Sequence, residues 1–471
     1  MTLPQPQSHH TPNILLILTD DQGPWAMGCA GNGEIHTPNL DRLAATGMRF
    51  TNFFCTSPVC SPARASLLTG RMPSQHGIHD WIREGNVGER AVEYLAGQLA
   101  YTDILAANGY TCGLSGKWHL GDSYRPQKGF THWYVHEQGG GPYYNAPMIR
   151  NGQPERNPRY LSDLITDDAL AYIAAQAQAT QPFYLGVHYT APHSPWIDNH
   201  PPEIVALYDD CPFASCPQEP KHPWVKPDIL ADAWANPREN LQGYFAAVTA
   251  MDRNVGRLLD QLEALGLREN TWVFFVSDNG FSCGHHGIWG KGNGTFPQNM
   301  YDNSIKVPAI ISHPARIAQG VVSDALLSGY DFMPTLLDYL GYANPAAARL
   351  PGRTFAPLLR GEALQEHEHI VVYDEYGPVR MVRTRAWKYV HRYPYGPHEL
   401  YDLINDPGER QNLVDEPAYL PRRAEMKERL EEWFVHYTDP QLDGRVEAVT
   451  GKGQLSLAGP DGQGQIAFAV H

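Results

Sequence analysis

Two short acidic motifs each follow an apolar run that predicts a buried strand. Asp20 and Asp21 lie in the TDDQG motif after NILLIL, and Asp278 and Asn279 lie in the SDNG motif after TWVFFV. Because the carboxyl ends of parallel strands meet at one edge of a sheet, we expect the four side chains to face one crevice. Three carboxylates and an amide favour a hard cation, Ca²⁺ or Mg²⁺. The alternative is that these residues only shape turns or cap helices.

A cysteine at the predicted start of a helix is the second candidate centre. Cys60 opens the stretch CSPARASLLTG, in which Pro62 suits the first turn of a helix. A helix N-terminus favours negative charge, and Arg64 lies one turn along on the same face. The pattern indicates an activated thiolate. A structural cysteine beside a solvated arginine is the alternative.

Four basic side chains lie in short motifs rich in glycine or proline. They are Lys117 and His119 in GKWHLG, His193 in TAPHSPW, and Lys291 in GKGNGTF. Each taken singly is also consistent with a surface lysine, a flexible loop or a satisfied core histidine. The tandem histidines 285–286 resemble a zinc pair, but adjacent histidines in a loop rarely both bind metal, and we interpret them as possible walls of a substrate pocket.

Taken together, these motifs resemble those of the sulfatase family, in the alkaline phosphatase superfamily. The stretch at 60–70 matches the sulfatase signature C-x-P-x-R-x-x-x-L-T-G at every fixed position. The blocks TDDQG, GKWHLG, TAPHSPW, SDNG, GKGNGTF and ELYDLINDPGERQNL are similar to sulfatase blocks in the family's order, over about residues 13–413. The resemblance implies a sulfuric ester hydrolase in which a formylglycine-generating enzyme, reading C-x-P-x-R in the unfolded chain, has oxidised Cys60 to formylglycine.

The resemblance also implies a role for each candidate residue. The metal, Ca²⁺ or alternatively Mg²⁺, would be held by Asp20, Asp21, Asp278, Asn279 and the modified Cys60. The formylglycine hydroxyls would be held by Arg64. The sulfate would be surrounded by Lys117, His119, His193 and Lys291.

The predicted reaction is attack by the hydrated aldehyde on the sulfur of a sulfate ester. Asp278 removes a proton from the attacking hydroxyl, while Lys117, Lys291 and the metal neutralise charge on the sulfuryl oxygens. His193 or Lys291 protonates the leaving oxygen, and His119 accepts the proton of the second hydroxyl. Carbon–oxygen cleavage then releases sulfate. A serine at this position could also attack sulfur, but its sulfate ester would have no second hydroxyl to expel the sulfate.

Other functions remain open at this point. A formylglycine-dependent phosphonate monoester or phosphodiester hydrolase is the nearest, although such relatives typically lack the combination of Asp-Asp, Lys-x-His and Asp-Asn that this chain has. A non-catalytic sulfate-binding protein and a thiol hydrolase using Cys60 with His193 are more distant. For the substrate we favour a sulfated carbohydrate, with N-sulfoglucosamine and aryl sulfates as alternatives. Aromatic residues of segments 124–160 and 196–240 offer faces on which a sugar ring could stack: Trp133, Tyr143, Tyr144, Trp196 and Trp224.

The elements that position these motifs alternate between strands and helices. Strand-like runs occur at 13–18, 110–115, 183–188, 271–277 and 307–312, and helical patterns occur at 39–46, 91–107, 161–178 and 242–265. The alternation predicts an α/β fold: a large mixed, mostly parallel sheet sandwiched by helices.

The pattern changes near residue 365. Short strands are predicted at 370–373, 379–384, 387–391 and 399–402, followed by a helix at about 420–437. We therefore predict a catalytic domain at 1–365 and a smaller C-terminal α+β subdomain at 366–471, built on an antiparallel sheet. The last 25 residues, rich in Gly and Gln, are interpreted as a packed extended arm or a partly disordered tail.

Composition limits the partners. The formal net charge of −15 argues against nucleic-acid and anionic-membrane surfaces. We expect no transmembrane segment, and the first 13 residues lack a secretory signal, so a cytoplasmic location is expected. The seven cysteines are expected to be mostly free, although Cys211 and Cys216 frame a loop in which they could pair. The expected partner is a small-molecule or oligosaccharide sulfate ester. The sequence does not indicate an oligomeric state.

Overall fold

The computed structural model describes residues 11–226, 228–374, 378–446 and 449–469. Its strands, in chain order, are β1 (Asn13–Thr19), β2 (Met48–Phe50), β3 (Phe53–Phe54), β4 (Thr111–Gly116), β5 (Phe130–His136), β6 (Pro147–Arg150), β7 (Gln153–Arg156), β8 (Phe183–His188), β9 (Thr271–Ser277), β10 (Ser282–Cys283), β11 (Trp289–Gly290), β12 (Ala309–Ser312), β13 (Val321–Ser323), β14 (Leu327–Ser328), β15 (Ile370–Asp374), β16 (Val379–Arg383), β17 (Trp387–Arg392) and β18 (Glu399–Asp402).

Helices cover the sheets. They are α1 (Pro38–Ala45), α2 (Cys60–Thr69), α3 (Pro73–His76), α4 (Tyr101–Ala107), α5 (Leu161–Gln176), α6 (Pro202–Val205), α7 (Ala231–Ala235), α8 (Pro237–Ala264), α9 (Asp302–Ile305), α10 (Phe332–Leu340), α11 (Ala356–Leu359) and α12 (Leu420–Tyr437). One predicted helix, at 91–107, is wrong over its first part. The helix begins only at Tyr101, where Asp103 accepts the N–H of Ala100, and Gly97 has a left-handed backbone (φ 71°) that interrupts any earlier turn.

Ten strands form the main sheet, in the order β13-β2-β12-β9-β1-β8-β4-β5-β6-β7. The central strands β9, β1, β8, β4 and β5 pair in parallel, whereas β12, β6 and β7 pair with β9, β5 and β6 antiparallel. The predicted mixed, mostly parallel sheet is therefore confirmed.

The side chains of the central strand β1 pack in two cores, one on each face of the sheet. Ile14, Leu16 and Leu18 join a core with α2, α4 and α10. Leu15 and Ile17 point to the other face and join a core with α1, α5 and α8. Side chains alternate along a strand, so a continuous apolar run suits a strand with helices on both faces.

The small C-terminal sheet is antiparallel, in the order β15-β16-β17-β18. Ile370 and Val372 pack into the same core as α2 and α10, while Val371 and Tyr373 face Phe434 of α12. The predicted antiparallel C-terminal sheet is thus confirmed, and α12 covers its outer face. The division at 365/366 stays a prediction.

The end of the chain packs on the body of the protein. Gln454 forms a bridge with Ile82 on one side and with Phe468 on the other. Val449, Ala458 and Phe468 are buried together. Residues 449–469 therefore form a packed arm. The seven cysteines, all among the described residues, are free thiols, so Cys211 and Cys216 do not pair. Within the described ranges, no helix is both long and apolar enough to cross a bilayer.

Candidate active site

Three buried carboxylates meet at the carboxyl end of the central strands. β1 and β9 are adjacent and parallel, with Thr19 opposite Ser277, which places the residues after each strand side by side. Oxygen atoms of Asp20, Asp21 and Asp278 all lie within 4.8 Å of one another, and the residues are 0%, 3% and 4% exposed. The structure thus brings together the acidic residues that the sequence placed at one sheet edge.

The turn after β1 is held in an uncommon conformation. Asp21 has a left-handed backbone, with φ 63°. The hydroxyl of Tyr244 donates to the carbonyl of Asp21 and accepts the N–H of Gly23, both at 2.9 Å. The N–H of Gln22 donates to Ser277 Oγ at 3.1 Å. A non-glycine residue in this region persists only when its surroundings enforce it, which is frequent at functional sites.

The donor set fits a hard cation. Asn279 lies beside the carboxylates: its Nδ2 donates to Asp21 Oδ1 at 2.7 Å. Its Oδ1 is buried and has no hydrogen-bond partner among the described residues. Three carboxylates and an unsatisfied amide oxygen form an all-oxygen set of the kind that Ca²⁺ and Mg²⁺ prefer. Asp20, Asp21, Asp278 and Asn279 would hold such an ion.

Cys60 is the first residue of α2 and points at this cluster. Its thiol donates to Asp20 Oδ1 at 3.4 Å, and the ammonium of Lys291 lies 2.8 Å from its Sγ. Burial, followed by the negative charge of Asp20, raises the pKa of the Cys60 thiol to about 12. The unmodified side chain is therefore a neutral thiol, contrary to the thiolate expected from the helix N-terminus, because desolvation outweighs the helix dipole.

Arg64 connects the helix to both neighbouring strand ends. Its Nε donates to Asp278 Oδ2 at 2.9 Å, and its Nη1 donates to the carbonyl of Lys117 at 3.1 Å. Its Nη2 is buried and unpartnered within the part of the chain that the structure describes. A buried guanidinium nitrogen without an acceptor leaves a donor available to an oxygen bound at residue 60.

Two lysines neutralise the carboxylates. The ammonium of Lys117 pairs with Asp20, and that of Lys291 lies 2.5 Å from Asp21 Oδ1. Burial would raise the pKa of Asp20, but the charge of Lys117 and its cationic neighbours holds it well below the usual range. Burial, together with the charge of Asp20, raises the pKa of Asp278 to about 7. The cluster thus contains carboxylates of unequal basicity, with Asp278 the better proton acceptor.

The two histidines present different nitrogens to the pocket. His119, in a left-handed conformation (φ 56°), donates from Nε2 to the carbonyl of Ile82 at 2.9 Å. Its Nδ1 is buried without a partner among the described residues, and burial lowers its pKa well below the usual value. His193 donates from Nδ1 to the carbonyl of Ser194 at 2.7 Å, with Nε2 3.8 Å from Asp21 Oδ2. His119 is therefore neutral with a free acceptor nitrogen.

These groups surround one cavity of about 350 Å³. It is lined by Val59, Cys60, Trp81, Ile82, Arg83, Lys117, His119, Gln138, Gly139, Gly140, His193, Lys291 and Asn293. Sequence reasoning missed Val59 and residues 81–83, 138–140 and 293. Val59 is adjacent to Cys60 and Asn293 lies in the GKGNGTF motif of Lys291, so both could have been found from their neighbours, whereas residues 81–83 and 138–140 lie in none of the motifs quoted above.

The aromatic residues proposed to stack a sugar lie elsewhere. Trp133, Tyr143 and Trp196 are buried, since their rings pack in the two cores on the faces of the main sheet. Tyr144 lines a separate cavity, and Trp224 lies under the guanidinium of Arg392. The proposed stacking role is wrong for this pocket, whose aromatic lining residue is Trp81.

The tandem histidines also lie outside the pocket. His285 packs on Trp25 and its Nε2 bonds to the carbonyl of Ser215 at 2.9 Å. His286 stacks on Tyr301, with ring centroids 3.9 Å apart. The expectation that they wall the substrate pocket is therefore wrong, since both rings are held in loop packing.

A triplet of glycines packs against histidine rings beside the pocket. A Cβ on Gly139 would lie 2.2 Å from Cε1 of His119, and one on Gly140 would lie 3.2 Å from Cε1 of His193. A Cβ on Gly141 would make an ordinary contact, 3.4 Å from Nε2 of His136. Glycine at 139 is thus required by the position of the His119 ring.

A Gly139→Ala substitution should displace His119. We expect kcat/KM for the reaction in this pocket to fall roughly tenfold to a hundredfold, the size of an ångström-scale misplacement of a working group. Gly141→Ala is the matched control, and it should stay within about threefold of wild type, since its methyl group has room. Equal effects of the two substitutions on steady-state kinetics would contradict this reading of the glycine triplet.

A family model described as Sulfatase matches residues 12–342, and one described as N-sulphoglucosamine sulphohydrolase, C-terminal, matches residues 284–436. The chain is similar to an N-acetylglucosamine-6-O-sulfatase of Bacteroides thetaiotaomicron, with 29% identity over 96% of this chain and 91% of that protein. It is also similar to an ulvan-active sulfatase of Formosa agariphila, with 32% identity over 93% and 84% of the two chains.

A solved structure has the same architecture. It is of a protein in complex with its substrate D-glucosamine-2-N,6-O-disulfate, and it superimposes with a TM-score of 0.78 and 25% identity. The match covers 92% of this chain and 99% of that one. The likeness therefore extends over both sheets and their helices.

Proposed function

Because the chain belongs to the sulfatase family and is a sulfuric ester hydrolase, we propose that it releases inorganic sulfate from a sulfated carbohydrate bound in the pocket at residue 60. The observation that carries the proposal is the pocket floor, where Cys60, Lys291 and the Asp20–Asp21 pair lie in contact. Relatives named for action on sulfated N-acetylglucosamine and on ulvan support the carbohydrate class. The pocket volume of about 350 Å³ suits a sugar ring with its sulfate.

We propose that residue 60 works as formylglycine. The Sγ of Cys60 stands at the place of the hydroxyl oxygens that a hydrated aldehyde would carry. That group supplies two hydroxyls on one carbon, one to attack sulfur and one to expel the sulfate. Around this place Arg64 offers its unpartnered Nη2 and Lys291 its ammonium. Both groups would hold an oxygen there by charge-assisted hydrogen bonds.

The proposed metal site is formed by Asp20, Asp21, Asp278 and Asn279, with modified residue 60 as a further ligand. A divalent cation there would stabilise the negative charge of an oxygen nucleophile. Calcium is typical of the family, and magnesium is the other candidate. Arg64 positions Asp278 through the 2.9 Å contact to its Oδ2. The oxygen-only donor set supports this assignment.

The remaining steps are proton transfers by groups of this chain. Asp278, the carboxyl with the raised pKa, accepts the proton of the attacking hydroxyl. Lys117 and Lys291 neutralise charge that develops on the sulfuryl oxygens. His193 donates a proton to the leaving oxygen, with Lys291 as the other candidate donor. His119, neutral with Nδ1 open, accepts the proton of the second hydroxyl.

A second candidate is hydrolysis of an N-sulfated glucosamine. The match of residues 284–436 to the N-sulphoglucosamine sulphohydrolase C-terminal model favours it. The same sulfuryl group is cleaved, so the pocket floor serves both reactions, and only the leaving atom differs. Phosphonate monoester or phosphodiester hydrolysis is the other alternative, and it requires the same nucleophile.

The test is a sulfate-release screen with the purified full-length chain. Monosaccharide and oligosaccharide O-sulfates, N-sulfates, an aryl sulfate and a phosphonate monoester are each incubated with enzyme, and released sulfate or phosphonate is measured by ion chromatography. We expect the highest kcat/KM on a carbohydrate O-sulfate. Turnover of the N-sulfate alone would favour the second candidate. Turnover of the phosphonate ester without any sulfate release would overturn the assignment.

A further inference from the structure

One side of the pocket is formed by a segment with no role in the proposed chemistry. Residues 81–83 contribute a half-buried tryptophan, a buried isoleucine and an exposed arginine. We name this segment the WIR wall. Lys117 and Lys291 are buried at the pocket floor, whereas Arg83 is exposed. The WIR wall therefore lies where the part of a substrate farther from the scissile bond would be.

The WIR wall is held rigidly on its inner side. The N–H of Ile82 donates to Ser61 Oγ, in the helix that carries Cys60, at 3.1 Å. The carbonyl of Ile82 accepts the Nε2–H of His119 at 2.9 Å. The backbone of Ile82 is thus bonded to Ser61, the neighbour of Cys60, and to His119 of the reaction centre, which fixes the wall relative to residue 60.

The C-terminal arm holds the wall on its other side. Arg83 donates its N–H to the carbonyl of Gln454 at 2.9 Å, and Gln454 donates its N–H to the carbonyl of Trp81 at 2.8 Å. The buried side chain of Gln454 accepts the N–H of His79 at 3.0 Å and donates to the carbonyl of Gly77 at 2.9 Å. Arg83 therefore projects from a backbone that is paired like a strand.

Arg83 differs from the other cations of the pocket in its charge balance. Lys117 and Lys291 are each paired with a buried aspartate. No carboxylate of the described residues lies within 4.0 Å of the Arg83 guanidinium, which donates from Nη1 to the carbonyl of Lys452 at 3.4 Å. An arginine without an acidic partner at a pocket mouth keeps its charge-assisted donors available to an anionic ligand.

We infer that Arg83 binds a second anionic group of the substrate, a sulfate or carboxylate on the same or the adjoining sugar, while the scissile sulfate lies at residue 60. This inference rests on the proposed carbohydrate sulfatase activity and adds the substrate class: saccharides with at least two negative groups. Trp81, next to Arg83 on the wall, offers the ring face on which the sugar between the two anions packs.

The test compares matched substrates that differ by one charge. Pairs of sulfated saccharides are used in which one member carries only the scissile sulfate and the other also carries a carboxylate or second sulfate, for example N-acetylglucosamine 6-sulfate and glucosamine 2-N,6-O-disulfate. The wild-type chain, Arg83→Gln and Arg83→Lys are assayed on each pair. Arg90→Gln is the control, an exposed arginine of the same loop that does not line the pocket.

We expect the wild type to prefer the member with two anions. Arg83→Gln should lower kcat/KM for that member by roughly tenfold more than for its partner, the size of one lost charge-assisted hydrogen bond. Most of the loss should appear in KM, and Arg83→Lys should restore part of it. Arg90→Gln should leave the preference intact.

Two results would contradict the inference while leaving the proposed function standing. One is a wild type with equal kcat/KM for both members of every pair. The other is an Arg83→Gln variant in which kcat/KM falls by the same factor for both members. Absence of sulfate release from every saccharide would instead refute the proposed function, and with it the premise of the inference.

Discussion

A Cys60→Ala variant releases sulfate at least about four orders of magnitude more slowly than the wild type, the scale on which enzymes lose a nucleophile. The Cys60 side chain is 4% exposed and lies between Asp20 and Lys291, and no other described residue that lines the cavity carries a hydroxyl or thiol that could replace it. The smaller alanine fits the same space and retains the helix start. Released sulfate is measured with the preferred substrate of the screen, and folding is checked by thermal unfolding.

The matched control is Cys29→Ala, which removes a half-buried thiol outside the pocket and should retain activity. Peptide mass spectrometry of active wild-type protein should find an aldehyde in place of the thiol at residue 60. The burial that raises the pKa of this thiol to about 12 makes the unmodified side chain a poor nucleophile. Activity that persists in Cys60→Ala, or active protein with only a thiol at 60, would refute the formylglycine proposal.

An Asp278→Asn variant should lose both metal binding and activity. The Oδ1 of Asp278 accepts the N–H groups of Asp21 and Asn279, at 3.3 and 2.8 Å, and its Oδ2 accepts from Arg64. An amide has only one oxygen, so its NH₂ group must face one of these donors. We expect kcat/KM to fall by about three orders of magnitude, as when a buried charge partner and a metal ligand are lost together.

Calcium binding to the wild type and to Asp278→Asn is measured by isothermal titration calorimetry after a chelator has removed bound metal. Wild-type protein stripped of metal should be inactive and should recover when calcium is added, whereas Asp278→Asn should bind calcium weakly. Asp252→Asn is the control. Asp252, in α8, is also a buried carboxylate, and it accepts the backbone N–H groups of Asn39 and Leu40 at the start of α1. It should lose stability but keep its calcium. Full activity of the chelated wild type would exclude the metal proposal.

Much of the fold could be predicted from local patterns. The run NILLIL forms β1 because a strand with helices on both faces needs apolar side chains on both. The two acidic motifs meet because β1 and β9 are parallel neighbours in register. The family was recognisable from the blocks at 60–70 and along the chain, and the match of residues 12–342 confirms it.

Other expectations failed where long-range packing decided the outcome. Aromatic content in the 124–160 segment predicted a stacking surface, but Trp133 and Tyr143 cover the sheet instead. The helix position of Cys60 predicted a thiolate, yet burial among carboxylates keeps the thiol neutral. Burial and neighbouring charge depend on residues far apart in sequence, and so no local pattern reports them.

The sequence by itself determined the family, the mixed sheet and the residue types at the reaction centre, because strand ends and short motifs encode these locally. Only the tertiary structure decided the pocket walls. The wall at 81–83 is held by Gln454, whose backbone bonds to Trp81 and Arg83 from the other end of the chain, and Gly139 matters only because the His119 ring lies against it. Such hydrogen bonds and steric contacts form between surfaces that meet after folding, and hence substrate selection depends on residues without any motif of their own.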